Sequence, residues 1–124
     1  MEDNFEDNMY KEHIMELYRN PGNFGELKNP THAHTETNTL CGDEVTVHLI
    51  IENGKVKDAK FHGSGCVMSM VSASLLTDKI KNMGIDEIKL LDRDDVLDLL
   101  GIKVNPVRLK CVLLSLYAIK NSLK

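Results

Sequence analysis

VTVHLIIENGKVKDAKF, residues 45–61, is the stretch that decides the fold of this chain. Apolar residues hold every second position of its first half, at Val45, Val47, Leu49 and Ile51. A period of two is typical of a half-buried strand, because successive side chains point to opposite faces. Asn53-Gly54 predicts a two-residue hairpin turn, after which a second strand returns towards Phe61. The stretch therefore predicts an antiparallel β-hairpin.

Helical patterns flank this hairpin on both sides. They run from about Asn8 to the stop at Asn20-Pro21-Gly22-Asn23, from Val67 to about Met83, over residues 85–100 as one or two short helices, and from Pro106, after an Asn105 N-cap, towards the last residues. Residues 24–40 predict a loop that becomes extended towards Thr35. We expect a single α+β domain over residues 8–124, preceded by a flexible acidic tail over residues 1–7.

Composition excludes several classes of protein. Fifteen Lys and Arg against nineteen Asp and Glu give a net charge of −4. Because no basic excess is present to neutralise a phosphate backbone, we expect no nucleic-acid partner. No apolar run reaches membrane-spanning length and residues 1–8 lack the pattern of a signal peptide, so we expect a cytoplasmic protein with no membrane association. Thiols stay reduced in that compartment, and three cysteines there indicate metal binding or sulfur chemistry.

Two of the cysteines occupy contexts that suit a ligand. In Cys41-Gly42-Asp43, extended chain would turn thiol and carboxylate to the same face, and the central glycine would let a ligand or another backbone approach closely. Cys66 follows Gly63-Ser64-Gly65 at the start of a helix, where free N–H groups and the helix dipole favour a thiolate. Taken alone, a cysteine at a helix start is also explained by packing as a small apolar residue.

Cys111 lies inside the last helix, where Arg108 and Lys110 supply positive charge that favours a thiolate. Taken alone, a cysteine in such a helix is better explained by core packing. Closure of the hairpin brings Cys41, before it, opposite Cys66, after it. Three thiolates and one carboxylate form a ligand set that fits either tetrahedral zinc or a [2Fe-2S] cluster. A carboxylate matches iron-sulfur chemistry less well than a fourth thiolate, so a cluster held in this way should be released more easily.

Several motifs in one order make the chain resemble the U-type iron-sulfur cluster assembly scaffold family, which includes IscU, the N-terminal domain of NifU and SufU. They are NPGNFG (20–25), CGD (41–43), the Asn53-Gly54 turn, FHGSGC (61–66), the Ser-rich segment 69–74 and RLKC (108–111). The resemblance implies an α+β fold with a three-stranded antiparallel sheet and helices packed against it. It also implies that iron, a [2Fe-2S] cluster or zinc is bound by Cys41, Asp43, Cys66 and Cys111.

The same resemblance implies a non-enzymatic scaffold that takes sulfur from a cysteine desulfurase, builds a cluster with iron and passes it to apo-acceptor proteins. The alternative is a zinc-dependent sulfurtransferase of the SufU type, in which Cys41 accepts persulfide sulfur. Lys110 favours this alternative, because the IscU branch has His there. The short spacing from Cys66 to Cys111 favours the scaffold, because SufU chains carry an extra segment in that interval.

Three further expectations concern partners and neighbouring residues. A structural zinc domain is a third interpretation, which Asp43 disfavours because structural zinc sites use Cys and His. Residues 104–108, VNPVR, match only partly the segment that a dedicated chaperone binds in the IscU branch, so a chaperone partner is left open. We expect a monomer or weak homo-oligomer. Among the histidines, His62 is the one that could reach the edge of the site.

Overall fold

The computed structural model describes residues 5–124, with side-chain surroundings from residue 11 onwards. Its elements are α1 (Phe5–Arg19), β1 (His32–Asn38), β2 (Asp43–Glu52), β3 (Lys55–Ser64), α2 (Val67–Lys79), α3 (Ile85–Lys89), α4 (Arg93–Leu100) and α5 (Pro106–Ser122). The three strands form one antiparallel sheet in the order β1-β2-β3. Helices α2 and α5 pack against it, which confirms the predicted α+β class and the three-stranded sheet.

The β2–β3 hairpin forms at the predicted turn. Asn53 and Gly54 both have positive φ, 54° and 75°, as a tight hairpin turn of the mirror-image type requires. Further along the two strands from the turn, Leu49 pairs with Ala59 and Val47 pairs with Phe61. β3 continues beyond Phe61 to Ser64, so residues 62–64 are also part of the sheet.

One face of the sheet carries the core. Val45, Val47, Leu49 and Phe61 are fully buried on it beneath α2 and α5, and each such side chain contributes about 1.5–3 kcal/mol through its removal from water. α5 also contacts α4, and it buries residues on most of its circumference rather than on one side. Its second turn is therefore enclosed, which decides the surroundings of Cys111.

Residues 24–31 cross the opposite face of the sheet and form hydrogen bonds with β2 and β3. The Gly25 N–H donates to the Phe61 carbonyl at 2.7 Å, the Leu27 N–H donates to His48 Nδ1 at 3.1 Å, and the Thr31 N–H donates to the Leu49 carbonyl at 2.9 Å. The segment predicted as a loop is thus anchored along its length to two strands.

Two helix boundaries differ from the prediction. α1 begins at Phe5 instead of Asn8, so residues 5–7 of the predicted tail are helical, while residues 1–4 lie outside the described residues. α2 ends at Lys79 rather than near Met83, because Asn82 adopts a positive φ of 73°. At α5 the prediction is confirmed, since Asn105 Oδ1 accepts the Arg108 N–H at 3.0 Å. Among the described helices, none combines the length and apolar character that crossing a membrane requires.

Candidate metal centre

Four segments of the chain meet at one end of the sheet. Cys41 lies in the turn between β1 and β2, and Asp43 is the first residue of β2. Cys66 is the N-cap of α2, and Cys111 lies in the second turn of α5. Pairing of Glu44 with Ser64 in the β2–β3 hairpin places the start of β2 beside the start of α2. The hairpin and the packing of α5 together assemble the site.

Three of the four predicted side chains, those of Cys41, Asp43 and Cys111, form one close group, and Cys66 joins it through Asp43. Single ligand atoms of Cys41, Asp43 and Cys111 lie within 4.8 Å of one another. The Sγ atoms of Cys41 and Cys111 are 3.4 Å apart, close to the separation of about 3.8 Å that two thiolates have on a tetrahedral zinc. Cys66 Sγ lies 3.7 Å from Asp43 Oδ2. This set of three sulfurs and one carboxylate fits zinc or an iron-sulfur cluster by its chemistry.

Asp43 is buried, with 3% of its surface exposed, and both of its carboxylate oxygens have donors. Oδ1 accepts the Cys66 N–H at 3.1 Å, and Oδ2 accepts the Ser69 hydroxyl at 2.6 Å. Burial is the largest single influence and raises the pKa of Asp43, but hydrogen bonds from Ser69, Cys111 and Cys66 together outweigh it, so that the pKa is lowered. Asp43 is therefore a carboxylate at neutral pH.

The glycines beside the ligands have different roles. A Cβ on Gly65 would lie 2.8 Å from Asp43 Oδ1, so only glycine leaves room for the carboxylate. A Cβ on Gly42 would meet nothing within 4 Å, and glycine suits this position because its φ is 72°. The expectation of extended chain at Cys41 was wrong, because Cys41 lies in a turn. The close approach of a ligand to Gly42 stays a prediction.

Cys111 is the most enclosed of the three thiols, with 2% of its surface exposed. Burial raises the pKa of its thiol far above the usual range, and contacts with Asp43, Cys41 and Cys66 raise it further. The expectation that Arg108 and Lys110 favour a thiolate here was wrong, because both side chains are exposed. A metal that binds Cys111 must therefore displace the proton of its thiol.

Access to the site is graded. Cys41 is exposed and Cys66 is half-buried, so the site opens towards solvent on the side of Cys41. Leu40, which precedes Cys41, is 82% exposed.

His62 does not reach the site, and the expectation that it could was wrong. Its ring packs edge-on against the ring of His48, with 5.2 Å between the ring centroids, on the face of the sheet opposite the core.

Sequence reasoning missed two residues that contact the ligands. Ser69 bonds to Asp43 as described, and the Asn38 amide nitrogen lies 3.9 Å from Cys111 Sγ. The one available signal for Ser69 was its spacing, since the third residue after a helix N-cap lies on the same side of the helix as the cap. Asn38 carried no comparable signal, because its approach to Cys111 depends on the packing of α5 against β1.

Comparison with known proteins gives a consistent family. Residues 9–124 match the family described as NifU-like N terminal domain. The chain is 37% identical to the iron-sulfur cluster assembly scaffold protein IscU of Thermotoga maritima, covering 94% of this chain and 93% of the relative. It is also 34% identical to the zinc-dependent sulfurtransferase SufU of Bacillus subtilis, covering 92% of this chain and 88% of the relative. Both kinds of relative therefore extend over nearly the whole chain.

A solved structure agrees with this assignment. The crystal structure of FiSufU from Fervidobacterium islandicum, named as a candidate iron-sulfur cluster assembly scaffold for the SUF system, superposes with a TM-score of 0.78. The two chains are 26% identical, and the alignment covers 91% of this chain and 95% of the other. The arrangement of sheet and helices is therefore shared with that protein.

Proposed function

The chain belongs to the family of NifU-like N-terminal domains, and we propose that it is a scaffold on which an iron-sulfur cluster is assembled and from which it passes to acceptor proteins. The observation that carries the proposal is that ligand atoms of Cys41, Asp43 and Cys111 lie within 4.8 Å of one another, with Cys66 Sγ 3.7 Å from the Asp43 carboxylate. Cys41 is exposed at this site, whereas Asp43 and Cys111 are buried. The similarity to the IscU scaffold of Thermotoga maritima supports it.

The graded exposure assigns a role to each ligand. Cys41 is the thiol that a partner can reach, so it is the sulfur acceptor in our proposal. Its thiolate attacks the outer sulfur of a persulfide on a cysteine desulfurase, which leaves the desulfurase cysteine as a thiolate and Cys41 as a persulfide. Cys66 and Cys111 hold iron beside it, and Asp43 completes the set as the most labile ligand because it is the only oxygen donor.

A second candidate is a zinc-dependent sulfurtransferase that uses the same four residues. It is favoured by Lys110, an exposed residue directly before Cys111, and by the 34% identity to the SufU of Bacillus subtilis. In that case zinc occupies the ligand set permanently and Cys41 accepts and donates single sulfur atoms without cluster assembly. Both candidates imply a cysteine desulfurase as partner, and only the scaffold requires iron and an apo-protein that receives a cluster.

The experiment that separates the candidates is anaerobic incubation of the chain with a cysteine desulfurase, cysteine and ferrous iron. Visible absorption, iron and acid-labile sulfide are measured, and the product is then mixed with an apo-ferredoxin. The scaffold predicts bound iron with matching sulfide that moves to the ferredoxin. Retained zinc, faster desulfurase turnover and no cluster would instead establish the sulfurtransferase.

Two variants sharpen this comparison. Cys41→Ser removes the accessible thiol and should stop sulfur acceptance under either proposal. Lys110→His introduces the imidazole that the IscU branch carries before its last cysteine. If Lys110 decides between the two activities, this variant should gain cluster retention at the expense of desulfurase stimulation, whereas an unchanged ratio would show that Lys110 has no such role.

A further inference from the structure

Ser69 places a buried hydroxyl directly beneath the ligand set. The residue is the third of α2 and is fully buried. Its Oγ donates to Asp43 Oδ2 at 2.6 Å, and it also lies 3.3 Å from the Cys111 carbonyl oxygen and 3.6 Å from Cys66 Sγ. One hydroxyl therefore contacts three of the four residues that we assign to the site.

The short bond to Asp43 gives the carboxylate a partner that needs no metal. Oδ1 is held by the Cys66 N–H and Oδ2 by Ser69, so the buried charge is satisfied in the arrangement that the structure shows. Hydrogen bonds to an ionised group are among the stronger ones in proteins. A metal bound to the same carboxylate withdraws electron density from its oxygens and so weakens these hydrogen bonds.

We propose that Ser69 is a positioning residue that sets how readily Asp43 lets go of a metal bound at this site. The inference deepens the proposed function and rests on its metal site. With the hydroxyl present, Asp43 leaves the metal for a ready-made hydrogen bond. Without the hydroxyl, a carboxylate that has left the metal would have only one hydrogen-bond donor instead of two. A buried carboxylate oxygen without a donor is costly. Removal of the hydroxyl should therefore strengthen metal retention.

Packing between α2 and α5 does not by itself explain the contact. Ser72 on α2 and Ser115 on α5 are equally enclosed, and in the part of the chain that the structure describes their hydroxyls have no hydrogen-bond partner. Enclosed hydroxyls are thus accommodated in this region without being paired. Ser69 differs in that its hydroxyl points to the carboxylate, and Ser72, one turn further along the same helix, provides a matched control.

The test uses Zn²⁺ as the probe. Zinc-loaded Ser69→Ala is mixed with a coloured chelator, and the release rate and the dissociation constant are compared with those of the parent and of Ser72→Ala. We expect Ser69→Ala to release Zn²⁺ roughly tenfold more slowly, which is the lower range for a hydrogen bond to a charged group. Ser72→Ala should match the parent. Because release starts from the loaded chain, a variant that folds only with metal still gives a result.

A double-mutant cycle with Asp43→Ala separates this role from a structural one. If Ser69 acts through the carboxylate, Ser69→Ala should have no further effect on release once Asp43 is absent. The absorption of Co²⁺ in the site reports the ligand field directly, and it should change with Ser69→Ala only when Asp43 is present. An unchanged or faster release in Ser69→Ala, or the same effect in both backgrounds, would overturn the proposal.

The outcome is independent of cluster assembly, because the zinc experiment requires neither sulfur nor a desulfurase. A positive cycle with no cluster formed would refute the scaffold and leave the role of Ser69 intact. A cluster that forms and transfers while the cycle shows no coupling would do the reverse.

Discussion

Replacing Gly65 by alanine should damage the site through one defined contact. The new Cβ would lie 2.8 Å from Asp43 Oδ1 and 3.0 Å from its Cγ, whereas contacts below 3.4 Å are already tighter than most in real proteins. The carboxylate must therefore move by about 0.6 Å, three times the tolerance of about 0.2 Å on a metal–ligand distance. Such overpacking costs about 1–3 kcal/mol of folding free energy. Displacement of a ligand should weaken zinc binding by at least the roughly 10–100-fold that changes to residues supporting a ligand cost.

Chemical denaturation and chelator competition measure these two effects, and Gly22→Ala is the matched control. A Cβ on Gly22 would meet Ser74 Oγ at 3.5 Å, an ordinary contact, and neither glycine has a positive φ. Because the clash is with the carboxylate, most of the destabilisation caused by Gly65→Ala should vanish in an Asp43→Ala background. An equal loss of stability in both backgrounds, or an unchanged zinc affinity in Gly65→Ala, would refute the reasoning.

The remaining predictions concern the thiols and the last helix. Cys66→Ser and Cys111→Ser should each abolish stable metal binding with only a modest loss of stability; unchanged metal content in either variant would remove that cysteine from the site. Zinc binding should release the proton of Cys111, whose pKa is raised, so zinc affinity should rise with pH through the neutral range. Calorimetry of zinc binding to the parent chain in buffers of different ionisation enthalpy should detect this proton release, and a zinc affinity that does not change with pH would contradict the assignment. Asn105→Ala removes the cap that accepts the Arg108 N–H and should cost about 1 kcal/mol in thermal denaturation; an unchanged melting temperature would show that the cap does not stabilise α5.

The parts of the fold that sequence predicted are those that local rules determine. The alternation from Val45 to Ile51 and the Asn53-Gly54 turn fix the hairpin, because side-chain period and turn conformation depend on neighbouring residues alone. The predicted start of α1 is wrong because the acidic composition that predicts a tail over residues 1–7 also suits the first turn of a helix. The path of residues 24–31 depends on hydrogen bonds to distant strands, which no local pattern announces.

The site likewise contains residues that local rules place and one residue that only long-range packing places. The hairpin predicts that the segment of Cys41 and Asp43 lies near Cys66, and the contact of Asp43 with Cys66 agrees with this. The approach of Cys111 required the packing of α5 against the sheet. The same packing explains why the prediction of a thiolate at Cys111 was wrong. Arg108 and Lys110 are neighbours of Cys111 in sequence, but the helix turns them to solvent while the thiol is enclosed. Burial then dominates over nearby charge.

The two buried residues that we propose as ligands, Asp43 and Cys111, share a property that suits a protein that must give up what it binds. Asp43 has two hydrogen-bond donors available when no metal is present, and Cys111 is more stable as a thiol than as a thiolate in its enclosed position. Both effects lower the free energy of the empty site relative to the loaded one. An electron carrier that keeps its cluster gains from the opposite arrangement, in which unpaired ligands make the empty state costly. If Asp43 and Cys111 bind the metal as we propose, these contacts would let cargo leave the site at a smaller energetic cost.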